Sequence, residues 1–398
     1  MTLPLEGVRI IAVEQYGAGP FGTLQLADMG AEIIKVENVA EAGDVGRHVR
    51  HADDPLPEGD SLFFQSFNRN KRSITLNLKH PEGQKVLHDL VATADGVLNN
   101  LRGDQPAKLG LTYEALKAAN PRVVCVHLSA YGREGERASW PGYDYLMQAE
   151  AGYLSVTGEP GGPPSRMGLS IVDLSTGLQA AIAMLGGIVS ARATGQGRDL
   201  DVSLFDTAIS NLAYVGTWYL TAGINQGREP RSSHPNLTPS QLYRTKDGWL
   251  FIMCNKEKFW GVLAEAVGHP EWADDPRFAT FRDRLKHRNM ITEMLDSVLE
   301  TATTEEWLKA FGGKVPAAPV HDIKGALDAP FVREGGRIVT LAHPSGRDVG
   351  TVGPAIREAG VQPPARPAPG MGADTEAILR DLGYDQERIA ALREAGAV

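Results

Sequence analysis

Short apolar runs and amphipathic stretches take turns along the first half of the chain. Gly7 to Val13 is a short apolar run that predicts a buried strand. Gly17, Gly19, Pro20 and Gly22 then predict a tight loop. Thr23 to Met29 reads as a helix that stops at Gly30, and Ala31 to Glu37 is the next strand. This β-loop-α-β unit is the opening of a doubly wound parallel sheet. The alternation continues with a strand at Ile74, Leu76 and Leu78, a helix over Pro81 to Ala92, and a strand at Val97-Leu98. Tyr113 to Ala119 reads as a helix, Pro121 to Leu128 as a strand, Leu200 to Leu204 as a strand and Phe205 to Tyr219 as a helix.

The longest pattern runs from Arg166 to Arg192. Leu174, Leu178, Ala181, Leu185 and Ile188 recur at helical spacing, and Asp173 is the carboxylate at the start. Two readings stand side by side. Asp173 is a first-turn residue that starts the helix, stabilised by free amides and the dipole, or it is a nucleophile or general base. The run from Leu174 to Ala191 is long enough to span a membrane. Ser175, Thr176, Gln179 and the many small residues argue instead for a core helix whose cap faces a cleft.

Gly227 to Leu237 is a linker by composition. Beyond it the texture changes. Ser240 to Thr245 and Trp249 to Cys254 predict a hairpin, and helices follow over Lys256 to Val267, Phe281 to Glu300 and Glu305 to Gly312. Trp249, Phe259 and Trp260 are expected in the core of this smaller domain.

Composition narrows the class. The 398 residues suit two domains or one large domain with a subdomain, and 42% hydrophobic with 22% charged residues is ordinary for a globular protein. A net charge of −9 gives no general attraction to nucleic acid or an anionic membrane. Cys125 and Cys254 lie in apolar runs and read as buried thiols. No metal constellation, GxSxG elbow or Walker sequence is present. No targeting segment is evident, so the cytoplasm is the expected location.

Several groups carry candidate chemistry. Gly17-x-Gly19-x-x-Gly22, with Glu37 at the next strand end, matches the dinucleotide fingerprint superficially. Pro20 inside the pattern and 44 glycines in the chain favour a different reading, close approach of a phosphate- or acyl-bearing ligand. Arg69, Lys71 and Arg72 are either a phosphate site or solvated charge. Arg47, His48 and Arg50 either meet a substrate carboxylate or decorate a surface loop. Asn99 to Asp104 follows a strand, where open parallel sheets gather ligand groups. His127 within a strand reads as packed rather than catalytic.

The blocks GVRIIAVEQYGAGPFGTLQLADMGAEIIKVE, NRNKRSITLNLKHPEG, NPRVVCVHLSAYG, GYDYLMQAEAG, RMGLSIVDLSTG and TGQGRDLDVSLFD follow in order. In that order and spacing the chain resembles the class III coenzyme A transferases, which include formyl-CoA transferases and carnitine CoA-transferase-like proteins (the CaiB/BaiF family). Alpha-methylacyl-CoA racemases are relatives. The resemblance implies an open Rossmann-like parallel sheet in a large split domain, a smaller α+β domain, and an interlocked homodimer. The corresponding segments are 1–205 with the CoA site and nucleophile, 206–230 as linker, 231–325 as small domain, and 326–398 returning to the large domain. It also implies that Asp173 is the catalytic carboxylate, passing through an anhydride and an aspartyl-CoA thioester. Tyr16, Gly17 and Ala18 would line the thioester site, Lys71 and Arg72 the nucleotide site, and Asn100 with Arg102 the CoA site. The substrates would be an acyl-CoA and a free acid, with no prosthetic group and no metal. Arg47, His48, Arg50 and Arg166 favour a short dicarboxylate or hydroxy-dicarboxylate acceptor with succinyl-CoA as donor, while Tyr16, Tyr143 and Tyr145 offer the alternative of a site for a larger apolar acid.

The sequence also departs from the family. Gly17 stands where formyl-CoA transferase-like enzymes have Gln, and Asn100-Leu101-Arg102-Gly103-Asp104 replaces Asn-Phe-Arg-Pro-Gly. Two alternatives remain, a racemase-like enzyme and a noncatalytic CoA-binding protein. Racemases of the family carry Gly-His-Asp where this chain has Gly142-Tyr143-Asp144.

Overall fold

Six segments become the strands of one parallel sheet. They are β1 (Arg9–Val13), β2 (Glu32–Glu37), β3 (Arg72–Thr75), β4 (Gly96–Asn99), β5 (Val124–Ser129) and β6 (Arg198–Ser203). A computed structural model describes residues 2–362 and 364–398 of the chain. The strand order is β3-β2-β1-β4-β5-β6, and every neighbouring pair is parallel. The order reverses between β1 and β4, which makes their carboxyl ends the natural ligand crevice.

The chain divides into two units. The first comprises Met1–Ala151, Gly168–Ala213 and Arg333–Val398, and the second Gly152–Met167 and Tyr214–Val332. In the first unit, the returning tail is bound to the sheet edge. Ser73 N donates to Asp374 Oδ2 at 2.9 Å, and Thr75 N donates to Thr375 Oγ1 at 3.0 Å. A hairpin of Ile338–Ala342 and Asp348–Val352 also belongs to this unit. One core cluster of the unit gathers Ile11, Ile34, Ile74, Val86, Leu90 and Val97, with Ile378 and Leu379 from the tail.

The second unit has an antiparallel sheet of Ser240–Arg244, Trp249–Met253 and Ala317–Pro319. Its core gathers Tyr243, Ile252, Trp260, Phe278, Leu295 and Phe311, with Phe259 packed against it. Trp249 is not part of that core. It lies half-exposed with the Arg231 and Arg244 guanidinium groups 5.7 and 5.2 Å from its ring.

Three expected boundaries shift for identifiable reasons. The first helix starts at Ala18, so Gly19, Pro20 and Gly22 lie inside Ala18–Asp28 rather than in a loop. A Cβ on Gly22 would fall 2.5 Å from the Gly177 carbonyl oxygen, so this glycine lets two helices touch by backbone. The stretch expected as one helix over Phe205 to Tyr219 is two, Leu204–Ser210 and Ala213–Ala222, with Ala213 at φ 43. The third strand ends at Thr75, which leaves Leu76 buried beyond it. The apolar helix Ile171–Thr194 packs on β5, β6 and Ala18–Asp28, as expected of a core helix.

Candidate active site

The crevice at the carboxyl ends of β1 and β4 is a cleft of about 700 Å³ within the first unit. Of the residues expected there, Tyr16, Gly17, Ala18, Asn100, Arg102 and Asp173 all line it. Asp173 is only 8% exposed. It is the third residue of the Ile171–Thr194 helix, after the N-cap Ser170, which makes no side-chain cap.

The cap comes from elsewhere in the chain. Asp144, first residue of the Asp144–Glu150 helix, accepts from Val172 N at 2.7 Å and Asp173 N at 2.9 Å through Oδ2. Its Oδ1 accepts from Gln148 Nε2 at 2.5 Å. Asp173 stands in the first turn, as expected, but does not cap it. The amides that were to stabilise its carboxylate are taken by Asp144. No hydrogen bond reaches the Asp173 carboxylate among the described residues. Burial therefore raises its pKa to about 7, and the nearby Asp144 charge adds to the rise. A Cβ on Gly17 would lie 3.1 Å from Asp173 Oδ2, so the Gly17 backbone closes on the carboxylate.

Gly17 is the N-cap of the Ala18–Asp28 helix and carries no side-chain cap, which leaves the Ala18 and Gly19 amides, the first two of that helix, without a capping side chain. Two groups hold the segment before it. Asn100 accepts from Gln15 N at 2.9 Å and donates to Gln15 O at 2.6 Å. Asp44 Oδ1 accepts from Tyr16 N at 2.8 Å. Asn100 thus spends its amide on the protein backbone.

Lys71 and Arg72, expected at the nucleotide site, do not line this cleft. The Lys71 side chain is wholly buried, 2.7 Å from Glu14 Oε1, and also donates to Pro20 O and Asn68 Oδ1. Burial lowers its pKa to about 8 although Glu14 opposes the shift. Arg72 is engaged by Glu32 and Asp381. Arg69 is paired with Asp28 and donates to Val352 O. Lys71 and Arg69 fill the interior because each has a buried carboxylate to meet, whereas Arg72 and its carboxylate partners stay partly exposed.

The cations expected to meet an acid are mostly committed as well. Arg47 is buried, donates to both Glu37 oxygens and lies 3.8 Å over the Phe64 ring. That pairing holds the Glu37 carboxyl down at about 2 against the opposing effect of burial. Arg50 ties down the carbonyls of Asp54, Leu56, Pro57 and Asp60. His48 is exposed near Ala42 O, and Arg166 belongs to the second unit.

Lys79 was not singled out by the sequence. It lines the cleft, is exposed, and has no ion pair or side-chain hydrogen bond among the described residues. Arg102 is the other lining cation, about half-exposed with Asp104 at 3.3 Å. Lys79 stands in the strand-to-helix connection before Pro81, a position that offered the one available signal.

His127 is packed, as expected, between Asn99 Nδ2 at 2.9 Å and Asp199 Oδ1 at 2.6 Å. Cys125 and Cys254 are buried free thiols, and burial pushes Cys254 up to about 12. Among the described residues no group of His, Cys, Asp and Glu is arranged to hold a metal.

Comparison with known proteins extends over almost the whole chain. The family model described as CoA-transferase family III matches residues 5–375. An acyl-CoA transferase of Fusarium pseudograminearum is 34% identical over 99% of this chain and 88% of its own length. The human succinyl-CoA:glutarate CoA-transferase is 31% identical over 99% of this chain and 90% of its own. A crystal structure of a CaiB/BaiF family protein from Brucella suis superimposes with a TM-score of 0.82 at 30% identity, covering 96% of this chain and 100% of that one.

Proposed function

The chain belongs to CoA-transferase family III and is an enzyme that transfers CoA between an acyl-CoA and a carboxylic acid, and we propose that Asp173 is its nucleophile. One observation carries this reading: a buried carboxylate without a hydrogen-bond partner among the described residues lines the cleft beside the Gly17 backbone. A carboxylate kept from hydrogen bonds retains its basicity and its reactivity.

The ionised Asp173 attacks the thioester carbonyl, and CoA thiolate leaves. An acyl-aspartyl anhydride remains. The thiolate attacks the Asp173 carbonyl carbon and releases the first acid as its carboxylate. The enzyme now holds CoA as an aspartyl thioester. The incoming carboxylate attacks that thioester, CoA thiolate leaves again, and a second anhydride forms. Attack of thiolate on the new acyl carbonyl releases the product and restores Asp173. The free amides at the start of the Ala18–Asp28 helix support the oxyanions. Lys79 and Arg102 take the phosphates of CoA, replacing Lys71 and Arg72 in that role.

Mass spectrometry tests the reading. Wild type incubated with acyl-CoA acquires a CoA-sized adduct on Asp173, while Asp173→Ala folds, binds CoA and does not turn over. An adduct on another residue refutes it.

A short dicarboxylate as acceptor, with succinyl-CoA as donor, rests on the human relative's succinyl-CoA:glutarate activity. It draws no support from Arg47 or Arg50, which are engaged internally. A panel of free acids with succinyl-CoA and acetyl-CoA decides it, and preference for long or aromatic monocarboxylates overturns it. Racemisation is disfavoured because Tyr143 stands at the His position and the Asp144 carboxylate is occupied with backbone amides. A chiral 2-methylacyl-CoA in deuterated water keeps its configuration and takes up no deuterium on this reading.

The homodimer is supported by apolar side chains left on the surface. Ile182 and Val189 are exposed in the first unit, and Tyr219 and Leu220 in the second. Sedimentation with assay tests it, and a fully active monomer refutes it.

A further inference from the structure

Tyr16 has φ 67, a left-handed backbone that a side chain with a Cβ adopts at a cost. The next residue is Gly17, whose backbone closes on Asp173. Something must hold Tyr16 in this state, since strained backbone persists only where its surroundings over-determine it. The Tyr16 amide donates to Asp44 Oδ1 at 2.8 Å.

Asp44 is itself fixed from three directions. Its Oδ2 lies 2.7 Å from Lys35 Nζ, and both side chains are almost entirely buried. Its Oδ1 also accepts from Gly46 N at 2.7 Å. Its own amide donates to Glu37 Oε2 at 3.0 Å, and the same oxygen accepts from Arg47 Nε at 2.8 Å. Lys35 donates to Glu14 O at 2.9 Å, so it reaches the segment that leads into Tyr16 as well.

From this arrangement we infer that Asp44 is a positioning residue: its carboxylate, anchored by Lys35, clamps the Tyr16 amide and so sets the Gly17 backbone against Asp173. Asp44 does not touch the reacting atoms in this role. It acts on the step in which Asp173 and the thioester carbonyl meet, where misplacement of the supporting backbone is felt in rate. The inference rests on Asp173 as nucleophile.

Two paired substitutions separate the clamp from the buried charge. Asp44→Asn with Lys35→Met keeps an oxygen acceptor for Tyr16 N and removes both charges together. Asp44→Ala with Lys35→Met removes the acceptor. Both are measured for fold by circular dichroism, for kcat and KM with acyl-CoA, and for the rate of adduct formation on Asp173. The Asn pair keeps kcat within about threefold of wild type, and the Ala pair loses about tenfold or more, with KM changed by less than about threefold. The loss in the Ala pair shrinks when Tyr16→Gly is added, because glycine takes the left-handed conformation without a clamp.

Equal kcat in the two pairs, a KM rise that matches the kcat loss, or a tenfold loss unaffected by Tyr16→Gly overturns the inference. So does failure of either pair to fold, which makes Asp44 a residue of the fold rather than of the site. Absence of any adduct on Asp173 in wild type removes the nucleophile reading instead, a result separable from these.

Discussion

Replacing Asp173 by Asn makes the protein more stable at alkaline pH while it stops catalysis. The side chain keeps its shape and loses its charge. In the folded protein the carboxyl titrates at about 7, against 3.8 for the ordinary group. A raised pKa means that the folded state binds the proton more tightly than the unfolded chain does. Stability therefore declines as pH rises through the interval between the two values, and the full penalty is present above about 7. A shift of about three units at about 1.4 kcal/mol each gives a penalty of about 4 kcal/mol near pH 8. The same linkage leaves about half of that penalty at pH 5.5 and little of it at pH 4. Asp173→Asn removes the penalty, so its advantage over wild type grows across that range. Thermal unfolding of both proteins between pH 4 and 8 reads it directly. An advantage that is flat with pH, or largest at pH 4, refutes the claim that Asp173 is buried without compensation. The same group must be ionised to attack, so single-turnover adduct formation rises with pH through about 7.

Asp144→Asn weakens the cap on the Ile171–Thr194 helix, costs about 1 kcal/mol, and shifts the acid limb of adduct formation to lower pH by removing a like charge beside Asp173. A limb that stays in place refutes the electrostatic part. Alanine at Lys79 or Arg102 raises KM for acyl-CoA by up to about fivefold each, with little change in kcat, whereas Lys71→Met costs about 3 kcal/mol of stability because it leaves the buried Glu14 with only the Thr23 hydroxyl and the more distant Lys35. Steady-state kinetics beside chemical denaturation tells the two outcomes apart. Gly22→Ala drives a methyl group to 2.5 Å from the Gly177 oxygen and destabilises the first unit by about 1–3 kcal/mol or more, read as a lowered unfolding temperature.

The glycine cluster shows how a local pattern misleads. Gly17, Gly19 and Gly22 carry the spacing of a phosphate loop, yet two of them are helix positions. Gly22 is small because Gly177 is there, more than a hundred residues along the chain, and no window on the sequence contains both. The basic run before β3 misleads in the opposite direction. Arg69, Lys71 and Arg72 read as a phosphate site, but their partners Asp28, Glu14 and Glu32 stand on other elements. A charge's destination depends on which carboxylate the fold brings to it.

Periodicity by itself determined the alternation of strands and helices, the parallel sheet and the core helix that carries Asp173, because these follow from local alternation of apolar and polar side chains. The order of the sequence blocks determined the family, and with it Asp173 as the residue to examine. Only the tertiary structure decided how that carboxylate is held. Asp144 takes its helix amides, Asn100 grips Gln15, and Asp44 grips Tyr16. Each of these is a contact between elements distant in sequence, worth little until burial removes competing water. Lys79 and Arg102 face the cleft while buried carboxylates hold Arg47, Arg69 and Lys71, a matter of three-dimensional neighbours that spacing along the chain does not encode.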